Sequence, residues 1–133
     1  MGIEKINRAL SVGGVRLPTE SKTSTGAGGT LDADGASFIV SASTVGSNIF
    51  HLPSPRKAGD LKVLHVAVGT TDAVDVLNSA TTSRTFKGTT ANALRFSTAA
   101  PKAGGALLLA ASTTQWAVVA MPANASLVGS TGV

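Results

Sequence analysis

The 133-residue sequence has no cysteine, no tyrosine and one tryptophan, Trp116. Without thiols there are no disulfides, thiolate zinc sites or cysteine nucleophiles, though the redox compartment stays open. Glutamate and glutamine are nearly absent, which argues against a helical bundle. Only His51 and His65 are available as imidazoles, too few for a histidine-rich metal centre. No apolar run approaches the ~20 residues needed to span a bilayer, and the N-terminus has no signal-peptide core. It also fails the myristoylation pattern, because Ile6 stands where Ser or Thr is required. The expectation is a soluble chain made in a cytosol, with no membrane partner.

Small side chains are what is plentiful. Hydrophobic content is 43% but aromatic content only 4%, which suits close sheet packing rather than a large ligand cavity. The net charge of +4 comes from dispersed residues, and Arg56-Lys57 is the one adjacent basic pair. Such a balance reads as a solubilising surface, with attraction to an acidic partner as the sharper alternative.

The strongest local signal is the stretch from Leu52 to Val68, where Pro53 and Pro55 open a turn, Gly59 reverses the chain and an apolar strand follows. A Lys-Ala-Gly triplet at 57–59 recurs at 102–104, which points to two related hairpins. Period-two patterns predict strands over Ser37–Ser43, Asn48–Leu52, Leu61–Val68, Ala73–Leu77, Ala93–Phe96, Ala106–Ala111 and Gln115–Met121. Leu61–Val68 is apolar on both faces apart from its first positions, the pattern of a central strand. About seven or eight short strands predict an all-β domain, a compact antiparallel β-sandwich or small barrel. It occupies residues 31–121, after an extended N-terminal arm (1–30) and before a C-terminal tail (122–133). The arm combines Ile3, Ile6, Leu10, Val15 and Leu17 with a polar, glycine-rich segment that cannot form a core of its own. Those apolar residues would be wasted in a plain linker, so the arm is expected to order on a partner.

Chemistry is hard to find. There is no G-x-S-x-G elbow, and both histidines read as packed, hydrogen-bonded residues. Asp32-Ala33-Asp34-Gly35 has its glycine at the wrong place for a calcium loop and reads as a turn. Asp72 and Asp75 fall on opposite faces of a strand, which excludes an acid–base pair. Gly26-Ala27-Gly28-Gly29-Thr30 lacks the lysine of a phosphate loop. Arg84, Lys87, Arg95 and Lys102 lack exposed aromatic neighbours, since Phe86 and Phe96 are expected in the core. Asn124-Ala125-Ser126 matches a glycosylation acceptor but has no secretion signal. The chain is therefore expected to be no enzyme, with no cofactor, metal, nucleic-acid or small-molecule ligand. Trp116 is read as a core anchor or a subunit contact.

The glycine-rich arm before Gly29-Thr30-Leu31, then IFHLPSPRKAGDLKVL, TFKGTTANALRF and GGALLLAASTTQWAVVA, resemble small tailed-bacteriophage virion proteins, most of all capsid decoration (cement) proteins. The resemblance covers roughly residues 30–121. It implies a β-domain on the outer capsid surface of the virion, often trimeric, that stabilises the shell by binding major capsid proteins. Its arm would tie neighbouring capsid subunits together through Ile3, Ile6, Leu10, Val15 and Leu17. The competing expectation is a tail-fibre or receptor-binding β-module for a host glycan; such sites stack sugars on exposed Tyr or Trp.

Overall fold

The computed structural model describes residues 16–24, 29–41, 48–68, 73–80, 84–97 and 103–129. Ile3, Ile6, Leu10 and Val15 lie outside the described residues. Among those described there is no helix and there are nine strands: β1 (Thr19–Ser24), β2 (Gly35–Ser41), β3 (Asn48–Leu52), β4 (Leu61–Val68), β5 (Val74–Asn78), β6 (Ala93–Phe96), β7 (Ala103–Ala110), β8 (Trp116–Ala120) and β9 (Ala125–Val128).

They form a five-stranded sheet, β1-β2-β4-β7-β8, and a four-stranded sheet, β3-β5-β6-β9. The sheets do not close into a barrel, and they are mixed rather than antiparallel. β1 runs parallel to β2, β2 to β4 and β3 to β5. The cause is topological. From β2 to β5 the chain alternates between the sheets, so each strand returns to its own sheet pointing the same way, as a parallel crossover requires. The Pro53–Asp60 segment is therefore a passage between sheets and not a hairpin turn. Gly59 takes φ 91° there, and its N–H donates to Ala110 O at 2.8 Å. The second Lys-Ala-Gly triplet does something different, because Ala103 and Gly104 already belong to β7. The two apolar runs pair with each other instead, β4 antiparallel to β7.

One hydrophobic cluster draws on both sheets. Ile39, Leu64, Val66, Leu108 and Trp116 come from the larger sheet, and Phe50, Leu52, Val76, Leu94 and Phe96 from the smaller. Phe86 joins them from a turn, where Thr89 N–H donates to Phe86 O. Trp116 is fully buried and its indole N–H donates to Pro53 O at 2.9 Å. Of the two roles expected for it, its burial within the chain is that of a core anchor, and it ties the proline turn to β8. Ser112–Thr114 closes a hairpin: Thr114 N–H donates to Ser112 Oγ, and Ala111 N–H to Gln115 O.

Two segments read as outside the domain pair with it. Thr19–Ser24 of the arm is β1, and Ala125–Val128 of the tail is β9 on β6. β1 has no apolar side chain, because main-chain pairing at a sheet edge needs none; β9 packs Ala125 and Leu127 on the core but is only four residues long.

Candidate functional site

β1 is the sequence TESKTS, without one apolar side chain, and a buried polar cluster holds it. Glu20 accepts from Ser37 Oγ at 2.6 Å and from the Asp32 N–H at 3.0 Å. Lys62, fully buried, donates to Ser37 Oγ at 2.6 Å and to Asp34 O at 3.2 Å. Its ammonium lies 3.9 Å from the Glu20 carboxylate. Burial pushes the Lys62 ammonium below its ordinary pKa, outweighing the attraction of Glu20, Asp32 and Asp34. Burial alone would push Glu20 up, but the bonds from Ser37 and Asp32, with Lys62, hold it below its ordinary value. From sequence Lys62 belonged to the half-exposed start of a strand; its partners sit 25 to 42 residues away in the chain, so no local spacing announces them.

The same cluster fixes the root of the arm. Ala36 N–H donates to Pro18 O at 2.8 Å. Gly35 has φ 75°, and a Cβ there would collide with the Pro18 carbonyl oxygen. Only glycine fits. The glycine read as a turn residue is thus the seat on which the chain preceding β1 rests. Leu17, the described member of the expected arm contacts, is half-buried, and Arg16 is exposed. After β1, residues 29–31 bridge to the smaller sheet: His51 N–H donates to Gly29 O, and Leu31 N–H to His51 O.

The outward face of the larger sheet is the second feature. By register its outward positions from β1 to β8 include no Asp, Glu, Lys or Arg. Phe38 is 45% exposed, Val40 44% and Leu61 37%. β4 is central in its sheet, but only one of its faces is buried; the expectation of burial on both is corrected here. His65 lies on this open face, its ring 5.8 Å from that of Phe38, and is not the packed residue expected. His51 is half-buried and bonded through Nδ1 to Ser79 Oγ at 2.9 Å, as expected.

Asp72, Lys102 and residues 26–28 lie outside the described residues; other candidates resolve as structure. Asp75 is buried and receives a two-pronged bond from Arg95, at 2.7 and 2.8 Å, so Arg95 is committed and not free for phosphate. That bond raises the Arg95 pKa further. Asn124 is only 6% exposed, which closes the glycosylation match. An open depression lined by Gly88, Thr89, Thr90, Ala91 and Leu127 contains no ionisable side chain. Among the described residues no three His, Asp or Glu side chains converge as metal ligands. No known protein family matches the chain, and no curated protein does.

Proposed function

We propose that this chain is a phage virion structural protein, without catalytic activity, that decorates and stabilises the outer capsid surface by binding major capsid proteins. In this reading the two sheets face each other as a β-sandwich, and residues 1–15 reach out to the shell. The observation that carries it is the rooting of β1. Burying a lysine is an expensive way to hold a polar edge strand, and apolar side chains would add stability at lower cost. What the cluster accomplishes is position: Pro18 is seated on Gly35, which gives the proposed arm one fixed starting point. A 15-residue extended arm spans up to ~50 Å, enough to cross from one shell subunit to the next. Many copies would convert modest single contacts into strong net reinforcement.

The glycan-binding alternative has less support. Of the five aromatic side chains, Phe50, Phe86, Phe96 and Trp116 are buried and only Phe38 is exposed, whereas sugar sites draw on exposed Tyr or Trp.

The test is co-sedimentation with capsid shells, comparing the full chain with a variant lacking residues 1–15. That truncation keeps β1 and its cluster. The full chain is expected to bind saturably and the truncated one to stay in the supernatant. Equal binding by both would remove the arm from the account, and binding by neither would remove the capsid.

A further inference from the structure

The open face of the larger sheet is not used by the arm's root, and it has its own chemistry. Phe38 and Val40 of β2, Leu61, Val63 and His65 of β4 and Leu107 of β7 form its outward centre. We infer that this face is the contact between two copies of the chain, packed sheet against sheet about a two-fold axis.

Charge decides the occupant. The chain carries net charge +4, so two copies repel unless they meet where neither has a charge. Exposed Arg16, Arg56, Lys57, Arg84 and Lys87 all lie outside the five strands that form this face. A two-fold contact places a surface against itself and must be self-complementary. An uncharged apolar face meets that condition, while any row of like charges fails it. Nucleic acid and anionic membrane are excluded by the same absence of Lys and Arg. The chain's own first residues fit poorly too, since Glu4, Lys5 and Arg8 would find no opposite charge there.

Size sets the strength. Five strands spaced ~4.8 Å apart and about six residues long at ~3.3 Å each give a face of roughly 500 Å². Two such faces bury about 1,000 Å², near the lower bound for a specific interface. The dimer is therefore weak and concentration-dependent, with Kd on the order of 10–100 µM.

The experiment is sedimentation equilibrium of the full chain from about 1 to about 300 µM, a range that brackets that affinity. Phe38→Lys is expected to weaken self-association at least ~10-fold, because the two-fold axis brings one unpaired ammonium from each copy into the contact. Thr90→Lys, at an exposed turn outside the five strands of this face, should leave it unchanged. Both positions are exposed, so equal melting temperatures for the two variants show that each is folded. A wild-type chain monomeric throughout, equal weakening by both variants, or dimerisation that appears only after residues 1–15 are removed would each overturn the inference. The last of these would make the arm the occupant. The contact uses no residue of the arm, so loss of self-association by Phe38→Lys and loss of shell binding on removing residues 1–15 are read separately.

Discussion

Removing the Glu20 side chain is the most informative single perturbation of this fold. In Glu20→Ala, fully buried Lys62 keeps its bonds to Ser37 Oγ and Asp34 O but loses its nearest opposite charge, 3.9 Å away. Truncating one partner of a buried pair costs about 3–5 kcal/mol; the lower end applies here because the two ions are not in direct hydrogen-bond contact. About 1 kcal/mol of the loss belongs to Ser37 and the Asp32 N–H, which lose their shared acceptor. Lys62→Met removes the buried charge instead and costs about 1 kcal/mol or less, since relief of desolvation offsets the lost bonds. In the Lys62→Met background, Glu20→Ala should cost only the ~1 kcal/mol of the lost acceptor, a coupling of about 2 kcal/mol. Urea unfolding followed by circular dichroism measures it. With a slope of about 1.5 kcal/mol/M, Glu20→Ala alone shifts the midpoint by about 2 M. A coupling within ~0.3 kcal/mol of zero would refute the reasoning that Glu20 is in place to answer a buried ammonium.

The same cluster makes stability depend on pH. Lys62 has its pKa lowered from 10.5 in the fold; between its folded and unfolded values the unfolded chain binds the extra proton, so stability rises with pH in that window and Lys62→Met abolishes the rise. Glu20, lowered from 4.5, contributes stability that is present above that value and lost as pH falls through the folded one, which an acid titration followed by circular dichroism detects. Gly35→Ala meets both a positive φ and the Pro18 carbonyl, whereas Gly59→Ala has a positive φ but open space. The second should cost about 1–2 kcal/mol and the first clearly more, and equal urea midpoints would contradict the seat assigned to Pro18. Trp116→Phe leaves Pro53 O without its donor and a small void, for a loss of about 2 kcal/mol in the same assay. Arg95→Ala strands a buried Asp75; because the guanidinium side chain is 43% exposed, the expected loss is discounted to about 2 kcal/mol, and a neutral variant would show the pair to be superficial.

The strands that were legible in the sequence share one property, a self-contained apolar pattern. Asn48–Leu52, Leu61–Val68 and Ala93–Phe96 have the bounds their alternation and flanking turns predict. β1 carries no such pattern, because edge pairing is made by the main chain and leaves little trace in side-chain choice; in β9 the pattern is Ala125 and Leu127 alone, too short to stand out. Sheet membership was illegible for another reason. A strand looks the same locally whether the next segment pairs with it or crosses to the other sheet, so parallel pairing through β2 to β5 could not be read. The open face of β4 was hidden by its own composition, since Val63 and Ala67 opposite Leu64 and Val66 suggest burial on both sides. At the arm's root, Gly35 and Lys62 each read as ordinary residues of a turn and a strand start. Their roles arise from Pro18 and Glu20, brought to them only by the fold.

Hydrogen exchange of the protein free and bound to capsid shells, read by mass spectrometry, tests the rooted arm most directly. The account predicts that residues 1–15 gain protection on the shell while Thr19–Ser24, already paired to β2, changes little. Protection gained elsewhere on the domain, with residues 1–15 exchanging as in the free protein, would contradict it.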